Sequence, residues 1–402
     1  MFDKLSIYLF WFAAAFDPIG LMYGIRYLAL GFVSISLGSK LFAIKKIRAI
    51  RFPYIISFAF FVFFIPVYGL FVAQIRGGMV GAFIDTSYLA GAVYFLCSIL
   101  YLFGTNLDKA VRVHVVVLRA LCVLIIACLF IVLVGLPLEW IYFFVSNGIA
   151  FYGDRSYGGV SFYYIYFIAS PMIIFLLAYE SSRFLDQPSL SNFGLLCLPV
   201  VALFLSGTRA NIITSIFGII VIYFWKRFHF RALIFILGFI VLLILFFLIF
   251  DFSVVKDMFG SAELSNGIKL KYFAVYSEIF SDPLTILFGQ GFNAHKWSFA
   301  FSQMLGEGAS KTELTYIEFL RVFGLMGFAG FVFILWLLVV SARSLPFEYQ
   351  WMAPALLMYL VVSAVNPYIF SSNGMLLFGL YAVAAATSFR FQNRHGKRVF
   401  IY

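Results

Sequence analysis

Charged residues are scarce in this chain of 402 residues: they make up 11% of it, whereas soluble domains contain about 25%. Hydrophobic residues make up 64%. This shortage of charge excludes an ordinary soluble domain and indicates a polytopic membrane protein. The net charge of +11 would suggest a nucleic-acid partner only on a soluble face, but most basic residues lie in short connections between apolar runs. We therefore expect membrane lipids, and no nucleic acid, as a partner.

Cysteine and histidine are also rare, with four residues of each. All four cysteines lie inside apolar runs, which is more typical of buried thiols than of a disulfide or a metal site. The chain contains no Asp-x-Asp pair and no His-Glu-x-x-His, Cys-x-x-Cys or Gly-x-Ser-x-Gly motif. We therefore expect neither a metal nor a cofactor.

Long hydrophobic runs, in contrast, are abundant. Because about 20 apolar residues are needed to cross a bilayer as a helix, the runs predict about twelve transmembrane helices and an all-α fold. The predicted spans are 5–24, 26–44, 53–75, 84–104, 114–136, 161–179, 193–207, 210–225, 232–250, 314–340, 351–366 and 374–389. The whole chain, 1–402, then forms a single integral membrane domain.

The distribution of basic residues predicts the orientation of these spans. With the N-terminus inside, the inner connections hold most of the Lys and Arg, as the positive-inside rule requires, and both termini are cytoplasmic. The long insert 251–313 then lies on the outer side of the membrane. Its content of Trp297, Tyr272 and Tyr276 predicts an ordered loop, and a long ordered loop is typical of a functional one.

Arg209 is the first candidate for chemistry on the outer side. It follows Ser206-Gly207-Thr208 and is predicted to begin a helix. A helix N-terminus offers free N–H groups and positive potential, and Arg is suited to a bidentate grip on phosphate. The alternative is that Arg209 only extends toward lipid headgroups. Arg155 and Arg76, in neighbouring outer loops, are weaker candidates for the same anion.

Arg321 lies about two turns inside a predicted span that begins near Glu313. An ionisable residue in a span usually faces the bundle interior or a water-filled cavity. Helical spacing allows Glu313 and Arg321 to share a face, with Glu313 as a general base at the membrane entrance. The alternatives are an internal ion pair of Arg321 with Glu318, and a helix-capping role for Glu313 with Thr312 as the N-cap.

His295 is the only histidine predicted on the outer side. It follows Gly289-Gln290-Gly291, where two glycines suggest a tight turn that approaches a ligand. It is either a second candidate base or an ordinary surface residue. Because nucleoside triphosphates are scarce outside the membrane, a reaction there needs a substrate that is already activated, such as a lipid-linked diphosphate sugar.

Two stretches resemble the O-antigen polymerase and ligase superfamily. One is Ser206-Gly207-Thr208-Arg209-Ala210-Asn211, and the other combines Gly289-Gln290-Gly291 with Glu313–Leu320 and Gly324-Leu325-Met326-Gly327. In the ligase branch the helix entrance carries a His-Asn pair where this chain has Glu313. That departure favours a polymerase over a ligase.

The resemblance implies a metal-independent, inverting glycosyltransferase of the GT-C type in the bacterial inner membrane. Its substrates are undecaprenyl-diphosphate-linked glycans, and the product is O-antigen or a related surface polysaccharide. A chain-length regulator and a flippase of the same pathway are further candidate partners. In this hypothesis Arg209 and Arg321 bind the diphosphate, Arg155 and Arg76 assist, and Glu313 or His295 is the base. Candidate sugar contacts are Tyr316, Trp297 and Tyr272.

Two other functions stay open at this point. An O-antigen ligase would use a different acceptor. A lipid-linked oligosaccharide flippase belongs to a different class and should show two comparable halves, whereas this chain carries one long loop late in its sequence.

Overall fold

The computed structural model describes residues 2–16, 25–43, 52–81, 86–97, 107–135, 139–157, 160–228, 264–304, 312–342, 345–366 and 369–387. Within these ranges the chain is mostly helical. The helices are α1 Phe2–Phe16, α2 Ile25–Ala43, α3 Phe52–Phe58, α4 Ile65–Gly81, α5 Thr86–Leu96, α6 Leu107–Val134, α7 Glu139–Ser146, α8 Ile173–Asp186, α9 Leu190–Leu205, α10 Arg209–Phe228, α11 Leu264–Ile279, α12 Pro283–Phe288, α13 Phe299–Met304, α14 Thr315–Ser341, α15 Met352–Val362 and α16 Ser372–Thr387. A π-helical segment, Ala59–Phe64, joins α3 to α4, and two strands are β1 Ala150–Tyr157 and β2 Val160–Phe167.

Three of the described helices are long and apolar enough to cross a membrane: Tyr54–Met79, Leu107–Val134 and Thr315–Ser341. The pair Arg209–Ser215 and Phe217–Arg227, bent by 48°, adds a fourth if it is one broken span. Shorter apolar helices lie at other predicted spans, and their bounds agree within a few residues at 26–44, 193–207 and 374–389. The expected span 232–250 and residues 251–263 of the insert lie outside the described residues.

The centre of the molecule is formed by α15 and α16. Nearly every residue of both helices is buried, including the large side chains of Trp351, which precedes α15, and of Tyr359 and Tyr381. Helices that are apolar on all sides are expected at the centre of a bundle. Around them, α5 packs on α16, and α8 packs on α9, α10 and α15.

The predicted span 161–179 is wrong over its first half. Residues 150–167 form an antiparallel hairpin in which Ala150 pairs with Phe167 and Tyr157 with Val160. Seven of the eight residues of Val160–Phe167 are aromatic or β-branched, and such residues favour an extended strand over a helix. The helix α8 begins only at Ile173, after a short 3₁₀ turn at Ser170–Met172.

The insert between α10 and α14 is ordered in its described part, as its aromatic content predicted. The helices α11 and α13, the 3₁₀ turn Ala294–Lys296 and the residue before α14 form a small core of their own, made of Tyr276, Ile279, Ala294, Phe301 and Leu314. This core is separate from the main core of the bundle. The insert is therefore a folded segment rather than a simple connection.

The turn Gly289–Asn293 of this segment lies between α4 and α14. The backbone N–H groups of Gln290 and Gly291 donate to the carbonyl oxygens of Arg321 (2.7 Å) and Val322 (2.9 Å) of α14. On the other side, the N–H of Phe292 donates to the carbonyl oxygen of Gly69 of α4 (3.2 Å). The turn therefore joins the two helices through main-chain bonds.

Glycines permit this close approach. A Cβ at Gly69 would lie 2.3 Å from the ring of Phe292, and one at Gly289 would lie 2.3 Å from the carbonyl oxygen of Val322. The helix α14 is interrupted at Gly324 (φ 61°, ψ −172°), where a Cβ would lie 2.4 Å from the oxygen of Leu287. The interruption makes carbonyl groups of α14 available to the inserted turn.

Candidate functional site

The loop between α9 and α10 has the geometry of a helix entrance, as predicted. Arg209 is the first residue of α10, and the hydroxyl of Thr208 accepts a hydrogen bond from the amide of Asn211 (3.3 Å) as an N-cap. The side chain of the fully buried Asn211 donates to the hydroxyl of Ser206 (2.8 Å). These bonds fix the Ser206–Thr208 loop, so that the start of α10 is rigid.

The hairpin packs against this loop and brings Arg155 to it. The Nη1 of Arg155 donates to the carbonyl oxygen of Gly207 (2.9 Å), and its guanidinium lies over the ring of Tyr164, 4.9 Å from the ring centroid. Gly207 has φ +70°, and a Cβ there would lie 2.3 Å from the Cβ of Tyr164. Glycine is therefore required both for the turn and for the seating of the hairpin.

Arg155 and Arg209 thus come from different elements and meet at one loop. Arg209 is half-buried at the helix start. The first turn of a helix carries N–H groups without intrahelical partners, and the macrodipole adds positive potential there. Arginine side chains and such a terminus are groups that bind a diphosphate or another anion in proteins, and Arg155 and Arg209 both belong to this region. We call the residues Arg155, Gly207, Thr208 and Arg209 the arginine loop.

Arg321 occupies a very different environment. It is 2% exposed, and its guanidinium forms a two-point ion pair with Glu318, with Nη2–Oε1 at 2.6 Å and Nε–Oε2 at 3.1 Å. It also donates to the side-chain oxygen of Gln290 (3.3 Å) and lies over the ring of Phe301 at 3.9 Å. The sequence allowed two interpretations of Arg321, a functional residue facing a cavity or an internal ion pair with Glu318. The structure shows the ion pair.

Tyr276 completes this buried network. Its hydroxyl donates to Oε2 of Glu318 (2.6 Å) and is also bonded to the hydroxyl of Thr312 (2.5 Å). Burial, followed by the negative charge of Glu318, raises the pKa of Tyr276 far above its usual value. Thr312 is therefore not the N-cap of α14; that position is Leu314, which has no side-chain capping bond.

We call Tyr276, Gln290, Thr312, Glu318 and Arg321 the buried clasp. It joins α11 and the inserted turn to α14, and both oxygens of the Glu318 carboxylate are bonded. The sequence analysis did not predict the contact between Glu318 and Tyr276, the two central residues of the clasp. The signal for Glu318 was its spacing of three from Arg321. Nothing in the sequence indicated that Tyr276 reaches the pair.

Glu313 does not share a face with Arg321. The helix α14 begins at Thr315, so Glu313 lies in the preceding loop, where its carboxylate is 3.8 Å from the ammonium of Lys269. Its side chain is 54% exposed, so the partly desolvated cavity expected for a base is not formed around it. Burial, together with the negative charge of Glu313, raises the pKa of the nearby Tyr272.

Arg76 lies near the end of α4 and pairs with Asp282, and its Nη2 donates to the hydroxyl of Thr285 (3.1 Å). The hydrogen bond from Arg76 holds the pKa of Asp282 below its usual value. The 3₁₀ turn Ala294–Lys296, which carries the partly buried His295, packs on α4. Arg76 and His295 are therefore near neighbours in the fold, but Arg76 is already engaged by a carboxylate.

The three predicted sugar contacts are all used in packing. The hydroxyl of Tyr316 donates to the carbonyl oxygen of Leu360 of α15 (2.7 Å). The indole of Trp297 lies against α4, where a Cβ at Gly77 would be 2.5 Å from its Nε1. Tyr272 and Trp297 both pack against the small core of the insert.

Among the described residues, no group of three or more His, Cys, Asp or Glu side chains has an arrangement that could hold a metal ion. Comparison with protein families and with curated proteins finds no match to this chain. What the structure itself shows is a mostly helical protein with three or four long apolar helices and an arginine loop at the start of one of them.

Proposed function

We propose that the protein is a membrane glycosyltransferase that polymerises undecaprenyl-diphosphate-linked oligosaccharide units into O-antigen or a related surface polysaccharide. The proposal includes about twelve transmembrane helices, both termini in the cytoplasm and a reaction on the periplasmic face of the bacterial inner membrane. The observation that carries it is the arginine loop, in which Arg155 and Arg209 meet at the N-terminus of α10.

The arginine loop supports binding of the diphosphate of the donor. As the acceptor hydroxyl attacks the anomeric carbon, the bond from that carbon to the phosphate oxygen breaks, and negative charge accumulates on the leaving diphosphate. Preorganised guanidinium and N–H donors stabilise such developing charge without further rearrangement. In this role Arg155 and Arg209 are catalytic residues, and no metal is required.

Glu313 accepts the proton of the attacking hydroxyl in this proposal, and His295 is the alternative base. Glu313 lies beside Lys269 where the insert enters α14, and its exposure leaves it accessible to a bound sugar. Arg76 is a secondary diphosphate ligand. To bind the diphosphate it must release Asp282, its ion-pair partner in the structure. Arg321 is assigned a positioning role, since Glu318 neutralises it within the buried clasp.

The experiment is the surface-polysaccharide ladder, resolved by gel, in cells that lack this gene and carry wild type or a variant at matched expression. The variants are Arg209→Ala, Arg155→Ala and Glu313→Gln. A matched control is Arg112→Ala, because Arg112 is exposed on α6 and bonds only to its own helix, at the carbonyl oxygen of Asp108 (3.3 Å).

Polymerisation predicts a single repeat unit in the null strain, a full ladder with the control, and none with Arg209→Ala or Arg155→Ala. Long undecaprenyl-linked chains in the null strain would instead identify a ligase. Lipid-linked units retained on the cytoplasmic side would identify a flippase. Full ladders from both arginine variants would remove the arginine loop from the reaction.

A further inference from the structure

We infer that the segment Pro283–Asn293, within the insert predicted to lie outside the membrane, re-enters the bilayer and contacts lipid acyl chains through α12. This inference depends on the membrane crossing by α4 and α14 and not on the reaction, so it stands or falls separately from the proposed polymerase.

The first argument is depth. The N–H of Phe292 bonds to Gly69, which lies eight residues before Gly77 near the end of α4. At 1.5 Å per residue this places the contact about 12 Å below that end. The N–H of Gly291 bonds to Val322, seven residues into α14, which gives about 10 Å. Two helices therefore give nearly the same depth independently.

The second argument is how the backbone is satisfied. Non-helical backbone at membrane depth is tolerated only where protein or a water-filled cavity satisfies it. Here the interruption of α14 at Gly324 frees acceptors, and Gln290, Gly291 and Phe292 all donate to helix carbonyls. The close glycine contacts leave no room for water between turn and helices. This is the arrangement expected of a re-entrant turn rather than a loop in water.

The third argument is the surface of α12. Its three exposed large side chains, Leu284, Leu287 and Phe288, are all apolar. A six-residue helix in water would not be expected to expose only apolar bulk of this size. On α4, the neighbouring exposed side chains Phe71 and Ile75 lie between Gly69 and the helix end.

The chemistry of the neighbouring helices indicates what covers this surface. The exposed side chains of α14 just beyond the interruption, Leu325 and Met326, are also apolar. Exposed apolar side chains thus occur on α4, α12 and α14 where these helices meet, and the exposed Gln74, close to the end of α4, is the polar exception. Acyl chains that cover α4 therefore cover α12 too. The polar residues Ser281 and Asp282, which directly precede the segment, mark where the chain leaves the lipid.

The test measures depth with nitroxide labels on single cysteines in the full-length protein in lipid nanodiscs. Cys97, Cys122 and Cys128 are buried, so only Cys197 needs replacement by alanine. Labels are placed at Leu287→Cys and Phe288→Cys. Phe71→Cys, six residues before Gly77, is the lipid-facing reference on α4, and the exposed Ser281→Cys is the aqueous reference. Collisions with oxygen report lipid, and collisions with a water-soluble nickel chelate report water.

We expect the labels at 287 and 288 to match the reference at 71, with strong oxygen collisions and loss of the nickel collisions seen at 281. Nickel collisions at both 287 and 288 equal to those at 281 would overturn the re-entrant assignment. Because all labelled positions are exposed, folding should tolerate them, and thermal unfolding of each variant verifies this. The measurement needs no substrate.

Discussion

The arginine loop and the buried clasp both contain arginine within apolar surroundings, and their geometries differ completely. Arg321 is 2% exposed and neutralised by Glu318 three residues before it. Arg209 is half-buried at a helix start, with a second arginine brought in by a hairpin. An arginine in an apolar helix is therefore not by itself a sign of chemistry. Arg321 is paired with a carboxylate of its own helix, whereas α10 contains no Asp or Glu.

The largest effect is expected from breaking the clasp. Arg321→Ala leaves the Glu318 carboxylate buried without its charge partner, and loss of one partner of a buried pair costs about 3–5 kcal/mol. Thermal unfolding of the purified protein should show a large decrease in midpoint. The double variant Glu318→Leu with Arg321→Met should recover part of it, because an apolar pair carries no uncompensated charge. An unchanged midpoint for the single variant would contradict the structural assignment.

A comparable free energy is expected at the arginine loop, but in activity rather than stability. Arg209→Ala should slow glycosyl transfer by roughly 10²–10³-fold, the loss typical for one preorganised donor, and leave the unfolding midpoint nearly unchanged. The rate of chain extension on a lipid-linked acceptor measures it. Arg209→Lys keeps the charge but not the fork of donors and should restore only part of the rate. A stability loss as large as that of Arg321→Ala would erase the distinction between the two regions.

A smaller effect is expected at the turn that joins the hairpin to the loop. Gly207→Ala places a Cβ at φ +70° and 2.3 Å from the Cβ of Tyr164. The strained backbone alone costs about 1–3 kcal/mol, and displacement of the hairpin moves Arg155 as well. We expect both a lower unfolding midpoint and a shorter polysaccharide ladder. Gly194→Ala is the matched control, because nothing lies within 4 Å of a Cβ there.

Removal of one hydroxyl tests the clasp more gently. Tyr276→Phe deletes the donor to Glu318 and the partner of Thr312, which should cost about 1–3 kcal/mol because the carboxylate stays buried. Chemical denaturation is the appropriate measurement. Tyr272→Phe, on the same helix but partly exposed, is the control and should change stability little.

The smallest effect is expected at the exposed pair of Arg76 and Asp282. The pKa of Asp282 is lowered in the folded state, so its stabilising effect is present above the unfolded pKa and is lost as pH falls through the folded pKa. For a pair this exposed the contribution is about 0.2–1 kcal/mol. The stability difference between wild type and Asp282→Asn should be present at pH 7 and disappear as pH falls through the folded pKa of Asp282, because the protonated carboxyl group is then as neutral as the asparagine that replaces it. A difference independent of pH would exclude the ion pair as its cause.

Much of the helical architecture could be predicted, because apolar runs of sufficient length leave few alternatives. The helix start at Arg209 was predicted, and so was the order of the described part of the insert, from its aromatic content. The capping bond to Thr208 was not predicted. The hairpin 150–167 was not predicted, because residues 161–167 are hydrophobic and continue into the apolar run that ends at 179. Together they were long enough to be taken as one span. The aromatic and β-branched residues of 160–167 carried the correct signal.

The candidate site was less predictable, because its geometry depends on contacts between distant parts of the chain. The spacing of Arg321 and Glu318 allowed their pair to be considered, but not its enclosure by Tyr276 and Phe301. Glu313 was placed on α14 because a helix boundary cannot be read to within two residues. In the structure that small error moves it from a helix face into an exposed loop.

The main-chain bonds of the inserted turn also set an order for biogenesis. The turn Gly289–Asn293 uses acceptors on α4, made long before it, and on α14, made after it. It cannot adopt its final position until α14 has been synthesised and has packed beside α4. Until then its three N–H donors need other acceptors, such as water. Completion of this region therefore waits for α14, even though α4 is made much earlier.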